Sequence, residues 1–343
     1  MSSPAALQHD EQGGTADASA RQLTLLEAVR EGLREEMARD RRVVVLGEDV
    51  GAQGGVFGVT KDLQAEFGPE RVLDTPLAEL GIAGVAIGAA LSGVRPVAEI
   101  QFADYIHPAY DQLVNEAAKI HYRSNGEFSC PVVFRAPFGA GVHGGLYHSQ
   151  SVEALFFHVP GLKIVIPSCP ADAKGLLKAA IRDDDPVLFF EHKKMYRSGR
   201  GPVPEGADVV TPLGKSAVLA PGEDVTVVTY GPGVPLALEA AASGEFSLEV
   251  IDLRTVAPLD FATIETSIAK TNRALILHED ALTGGVGAEV AALIADRCFS
   301  LLDAPVKRVA AADTHIPFAH NLEAAVLPSL GGVMAAIREL LAY

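Results

Sequence analysis

The run Asp74-Thr-Pro-Leu-Ala-Glu79 ends in an acid at the mouth of a predicted helix, Leu80-Gly-Ile-Ala-Gly84-Val-Ala-Ile-Gly88. A carboxylate there can hold or move a proton, although its ordinary duty is to cap the helix or answer its dipole. Gly84 and Gly88 stand one turn apart, and small residues at that spacing let another helix approach closely. A pair of reactive side chains lies in Val142-His-Gly-Gly-Leu-Tyr-His-Ser-Gln-Ser151. His143 and His148 are five residues apart among glycines, so they do not form the two-histidine face of a metal helix. A glycine-rich loop after a buried strand lies at the edge of an α/β sheet, where such sheets hold ligands.

The other motifs point away from cofactor loops and metals. Tyr230-Gly-Pro-Gly233 follows a strand and opens a helix, but the third glycine and the ribose-binding acid of a dinucleotide fingerprint are missing. A tight strand-to-helix turn explains it. Thr283-Gly-Gly-Val-Gly287 also precedes a helix, and close packing is the reading preferred over an anion at its amides. No Walker motif and no HExxH occur. Cys130, Cys169 and Cys298 are far apart, with no CxxC, so neither a zinc site nor a disulfide framework is indicated. That usage fits a reducing compartment.

These side chains need a scaffold, and the pattern supplies one. Thr24-Leu-Leu-Glu27 is a capping box opening a helix to about Asp40. Val43–Leu46 reads as a buried strand. Leu80–Ser92 reads as a helix, Pro96–Ile100 as a strand, Tyr105–Arg123 as a helix and Pro131–Arg135 as a strand. Leu162–Ile166 is a further strand, a helix runs from Pro170 to about Arg182, and Val187–Phe190 closes the set. From Lys193 to about Glu205 the chain turns polar, with Gly and Pro throughout. Alternation then resumes, with strands at Val225–Thr229, Leu248–Leu253, Ala274–Leu277 and Val306–Ala310 and a last helix ending at Tyr343. The division is a tail over 1–20, a first α/β domain over 21–200, a linker over 201–212 and a smaller doubly wound domain over 213–343.

The chain of 343 residues carries a net charge of −16, which argues against nucleic acid, since phosphate neutralisation needs clustered Lys and Arg. The longest apolar stretch, Leu80–Leu91, is too short to span a bilayer. Residues 1–20 have no basic start followed by an apolar run and read as a disordered tail. A cytoplasmic location is expected for a bacterial chain, and the mitochondrial matrix for a eukaryotic one.

The spacing from Glu79 through Gly84 to Gly88 resembles the glutamate motif of thiamine-diphosphate enzymes. Val45-Leu-Gly-Glu-Asp-Val50, Glu99-Ile-Gln-Phe-Ala-Asp-Tyr105, Tyr110-Asp-Gln112, Asn115-Glu-Ala-Ala-Lys119, Leu146-Tyr-His-Ser-Gln150 and Val250-Ile-Asp-Leu-Arg-Thr255 extend the likeness in order over about residues 21–343. Together they resemble the β subunits of thiamine-diphosphate-dependent 2-oxo acid dehydrogenases, the branched-chain type most, with pyruvate and acetoin dehydrogenases as relatives. The resemblance implies a transketolase-like pyrimidine-binding domain followed by a transketolase C-terminal-like domain. It implies that Glu79 bonds a ring nitrogen of the aminopyrimidine, that Tyr105 stacks on that ring, and that Glu48 and Leu77 lie near the cofactor. It makes His148 the active-site histidine, giving a proton during acyl transfer to lipoyl, with Gln101 and His143 near the substrate.

The diphosphate and magnesium of such enzymes sit on a Gly-Asp-Gly motif followed by an asparagine. No Gly-Asp-Gly occurs here, so the resemblance implies half a site, completed by an α subunit in an α2β2 heterotetramer that serves a lipoyl acyltransferase. Some relatives bind potassium, and the matching positions are Val132, Val133, Ala180, Asp183 and Asp185. Val133 replaces a threonine there, which leaves no hydroxyl ligand. Asp313-Thr-His-Ile-Pro317 replaces a more usual Asp-Thr-Pro run.

Overall fold

A computed structural model describes residues 21–206 and 208–343; the expected tail over 1–20 lies outside them. The strands are β1 (Arg21–Leu23), β2 (Val43–Gly47), β3 (Val72–Asp74), β4 (Arg95–Glu99), β5 (Val133–Phe138), β6 (Lys163–Val165), β7 (Val187–His192), β8 (Gly201–Val203), β9 (Ala217–Ala220), β10 (Val225–Thr229), β11 (Leu248–Asp252), β12 (Thr255–Ala257), β13 (Ala274–Ala281) and β14 (Lys307–Ala311). A first sheet of seven strands runs β12-β6-β7-β5-β4-β2-β3, and a second of five runs β14-β13-β10-β11-β9. Only β12 and β9 run antiparallel to their neighbours in these two sheets. The central parallel strands are rich in Val, Leu and Phe and buried on both faces, as helices covering both sides of a sheet require.

The helix Leu25–Arg39 begins with the expected capping box: Glu27 N donates to Thr24 Oγ1 at 3.2 Å and Thr24 N to Glu27 Oε2 at 2.8 Å. It packs on the helix Pro170–Arg182. Lys174 and Lys178 are buried between them and place their ammonium groups 2.7 Å from Glu31 and Glu35. Long aliphatic stems fill the gap, while the charges meet partners at its rim.

Three expectations need correction. Tyr105–Arg123 is not one helix. It is two short 3₁₀ turns, Ala103–Tyr105 and His107–Ala109, then a π-helical stretch Gln112–Ala117 and a single α segment Ala118–Arg123. Pro108 has no N–H for a regular ladder, and the π turn absorbs an extra residue. Second, the polar stretch after Lys193 is anchored: Lys193 and Tyr196 are buried, and β8, the first three residues of the expected linker, pairs with β1. Third, the chain returns from the second domain to the first sheet. Strand β12 pairs with β6, and Ile166 N donates to Arg254 O at 2.8 Å.

The segment His320–Leu341 is long and apolar enough to cross a membrane by composition. It is divided at Leu327–Ser329, where Ser329 caps the second helix, and Val333, Ile337 and Leu340 are buried against the second sheet. That pattern is an amphipathic helix of a packed domain.

The interior of the first sheet holds a complete charge cluster. Arg135, on β5, is fully buried. Its Nε and Nη2 donate to Glu191 on β7 at 2.6 and 2.7 Å, and its Nη1 to Glu99 on β4 at 2.6 Å. Tyr196 Oη adds a bond to Glu191 at 2.6 Å. Removing one partner of such a cluster leaves buried charge uncompensated. Arg135→Met is therefore expected to lower stability by about 3–5 kcal/mol in urea unfolding; a loss under about 1 kcal/mol would show that the cluster contributes little.

Candidate active site

Four loops at the C-terminal ends of neighbouring parallel strands bring the predicted residues together. Glu48 follows β2, Glu79 follows β3, Gln101 to Tyr105 follow β4, and the loop to His148 follows β5. This is where open parallel sheets bind ligands. Glu79 is the first residue of the helix Glu79–Leu91 and does not cap it; the capping position is Ala78, which makes no side-chain bond. Glu79 is buried, at 7% exposure.

Glu48 is equally buried, and its Oε1 meets no donor among the described residues. Burial, then the nearby charges of Glu79 and Asp49, push its carboxyl above the usual carboxylate range. Tyr105 is shifted up by burial and by the charges of Asp104, Glu79 and Glu48. Three expected cofactor residues thus lie within electrostatic reach of one another, beyond the ends of the adjacent strands β2, β3 and β4. Leu77, two residues before Glu79, is a surface side chain, 78% exposed.

Tyr105 Oη lies 2.6 Å from His148 Nε2. An aromatic wedge backs the pair. Phe102 meets the His148 ring edge-on at 4.8 Å and the Tyr105 ring at 5.5 Å, and Phe57 meets Phe102 at 5.4 Å. Gln101 is half-buried and directly precedes Phe102 in the sequence. Lys193 also packs on the wedge, its Nζ over the Phe102 ring at 5.6 Å from the ring centre. Burial pushes that ammonium down to about 8, against the opposing charges of Asp104 and Glu279.

His143 is oriented away from this group. Its Nδ1 is 2.5 Å from Glu323 Oε2, and its ring stacks on His320 at 3.4 Å. Its backbone is left-handed, with φ +59°. The possible potassium positions also look inward. Val132, Val133 and Ala180 are buried, and the carboxylates of Asp183 and Asp185 are engaged by Lys163 at 2.7 and 3.1 Å, with His121 2.6 Å from Asp185.

Sequence reasoning missed Phe57, Asp104, Lys193, Glu279 and Glu323. Asp104 stands within the run that carried Tyr105, and its role appears only when Oδ1 is seen to accept from Ser149 N and Gln150 N, both at 3.1 Å. Glu279 and Glu323 reach the site from the other domain, and no local pattern could place them. The two glycine runs are packing devices. A side chain at Gly231 would meet Ile166, and one at Gly285 or Gly287 would collide with the buried His278 ring.

One face of the helix Glu79–Leu91 is open. A Cβ at Gly84 would touch only Gln112, and one at Gly88 nothing. Beside it runs a groove of about 520 Å³ lined by Gly84, Gly88, Leu91, Gln112, Arg123 and Phe128. Leu80, Val85 and Leu91 on the same helix are exposed.

Known proteins share this architecture and sequence. Residues 21–199 match the transketolase pyrimidine-binding domain family, and residues 214–333 the transketolase C-terminal domain family. The chain is 55% identical over 322 residues to the 2-oxoisovalerate dehydrogenase subunit beta of Bacillus subtilis, covering 93% of this chain and 98% of that one. It is 48% identical over 325 residues to the pyruvate dehydrogenase E1 component subunit beta of the same organism, covering 94% and 99%. A solved split-gene transketolase, an inactive beta4 tetramer, shares the fold with a TM-score of 0.74 at 24% identity, over 94% of this chain and 99% of that one. The chain belongs to the family of 2-oxo acid dehydrogenase β subunits built from the transketolase pyrimidine-binding and C-terminal domains.

Proposed function

We propose that this chain is the β subunit of a thiamine-diphosphate-dependent dehydrogenase of branched-chain 2-oxo acids, active with an α subunit in an α2β2 heterotetramer and passing its acyl product to lipoyl on an acyltransferase. The observation that carries the reading is the convergence of Glu48 and Glu79, two buried acids whose charges oppose one another, beside the Tyr105–His148 pair. Folding alone gives no reason to bury Glu48 beside another acid, because the neighbouring charge raises the cost of ionising it.

The donor set fits the pyrimidine end of the cofactor. An acid at Glu79 can share a proton with a ring nitrogen, Tyr105 offers an aromatic face, and the orphaned Glu48 Oε1 is an acceptor awaiting a donor. When bound, thiamine diphosphate supplies the electron sink that decarboxylation needs. Glu79 would hold the proton on the aminopyrimidine, and His148, fixed through Tyr105, would orient the substrate and deliver a proton during acyl transfer. Magnesium and the diphosphate would belong mainly to the α subunit. The open Gly84–Gly88 face and its apolar neighbours suit a helix of that partner. The bacterial relatives support a cytoplasmic setting. Potassium is not needed for the reading, since Lys163 already answers the charges of Asp183 and Asp185.

The branched-chain assignment rests on the runs Gln101-Phe-Ala-Asp-Tyr105 and Leu146-Tyr-His-Ser-Gln150 and on the 55% relative. Pyruvate is the second reading, favoured by the 48% relative. Co-expression with the partner subunit and assay of 2-oxoisovalerate and pyruvate decides between them. Activity only in the mixture, higher on 2-oxoisovalerate, is expected. Higher activity on pyruvate would move the chain to the second reading, and no activity with no cofactor binding would sink both.

Two substitutions test the acids. Glu79→Gln should leave assembly intact and cut turnover by about 10²-fold or more, so full activity would refute its role at the cofactor. Glu48→Gln tests the opposed charges through stability. An acid whose folded value is raised costs nothing when protonated in both states, and destabilises the fold as pH rises through that raised value. The variant chain should therefore unfold at a higher temperature than the parent at pH 8, on the order of 1–3 °C, and at the same temperature near pH 4. An equal difference at both pH values would contradict the charge argument.

A further inference from the structure

The loop from Gly139 to Gln150 carries His148 and should be hard to hold still. Gly139, Gly141 and Gly145 adopt φ of +84°, +80° and +65°, and His143 adopts +59°. A glycine-rich segment loses much conformational freedom when fixed in one path. The first domain holds Gly139 at the end of β5, by Gly139 N donating to Gln150 O at 2.9 Å, and ties the far end through Asp104 and the N–H groups of Ser149 and Gln150.

The near end is tied from the second domain. Glu279, on β13, accepts from Ala140 N at 2.7 Å and lies 3.0 Å from His192 Nε2. Glu323, in the helix His320–Val326, accepts from Gly141 N at 2.9 Å, and its other oxygen is the one beside His143. His320 stacks on His143, and Phe318 packs over Gly145, where a Cβ would come within 3.2 Å of its ring. The segment that follows the unusual Asp313–Pro317 run is thus the one that grips the loop. Burial works against charge on Glu279, yet His192 and the bond from Ala140 hold its carboxyl below the usual range. Lys193 feels both Asp104 and Glu279, one at each end of the loop.

We infer that Glu279 and Glu323 of the second domain are positioning residues for His148, fixing the loop path that brings its imidazole to Tyr105. This rests on the proposed role of His148 in acyl transfer. Neither acid touches substrate; each acts through a backbone N–H and a histidine. A misplacement of about 1 Å at a reacting group can cost on the order of 10²-fold in rate, so the loss need not involve unfolding.

The test uses the assembled heterotetramer with its acyltransferase, and measures lipoyl acylation in the parent, Glu323→Ala, Glu323→Gln, Glu279→Ala, His148→Ala and the double variant His148→Ala/Glu323→Ala. Glu323→Ala and Glu279→Ala should lower kcat by about 10-fold or more with little change in KM. Glu323→Gln should recover most of the loss, because its amide oxygen still accepts from Gly141. In the His148→Ala background Glu323→Ala should cost almost nothing further, since the group it positions is gone. Equal losses with and without His148, or parental kcat in both alanine variants, would overturn the inference while leaving the enzyme reading standing. Parental acylation in His148→Ala would overturn both, and parental turnover in Glu79→Gln would indict the cofactor reading separately.

Discussion

One buried cation organises the architecture at its most consequential point. Arg135 spans β5 and binds Glu99 at the end of β4 and Glu191 on β7. Each of these strands leads directly into the site: β4 into Gln101, Phe102 and Tyr105, β5 into the His148 loop, β7 into Lys193. The guanidinium's fixed fork gives the pairing a geometry that a lysine could not match. Hydrophobic burial decides that these strands form a sheet, because it is the large and non-directional term. It does not decide their registration at the ends to fractions of an ångström, and a bidentate contact across three strands does.

Above that cluster the structure changes character. Arg135 is fully answered, whereas Glu48 has only acidic neighbours among the groups that shift it, and its Oε1 is unpartnered among the described residues. The same sheet edge therefore carries a satisfied charge network and an unsatisfied one within a few residues of each other. Stability explains the first and opposes the second. Sites that must receive a ligand keep polar groups in readiness at the expense of the free fold. The open glycine face of the helix Glu79–Leu91 follows the same logic, since its exposed Leu80, Val85 and Leu91 are unfavourable to leave in water.

Legibility in the sequence tracks how local each feature is. The capping box at Thr24, the buried parallel strands and the restart of alternation after residue 212 depend on neighbouring residues, and they read directly. Glu79 and the two histidines of the glycine-rich loop stand out by their own patterns, whereas Tyr105 and the role of His148 come only from the family resemblance, and the shared sheet edge follows from β/α order. The helix expected over Tyr105–Arg123 failed where Pro108 and a π turn override amphipathic spacing. Strand β12 was missed because three residues rejoining a distant sheet leave no period to detect. His143 looked like a partner of His148 because they share a loop, but φ near +59° turns it toward Glu323 instead. Glu279 and Glu323 are separated from that loop by more than a hundred residues, so only folding reveals them.

The distribution of those contacts explains why the two domains are difficult to consider separately. Fixing a backbone residue costs about 1–2 kcal/mol in conformational entropy, and the His148 loop has few side chains with which to offset that. Its small residues leave the N–H groups of Ala140 and Gly141 uncovered, so carboxylates from outside bind the backbone directly, as Glu279 and Glu323 do. A bulkier loop could have been held by its own packing. This one trades that for close approach, and the ordering must then come from the neighbouring domain. Strand β12 in the first sheet and the bond from Tyr230 Oη to Glu153 at 3.0 Å tie the domains together near the same loop. The His148 loop is in that sense held from both domains, by Asp104, Phe102 and Tyr105 on one side and by Glu279 and Glu323 on the other.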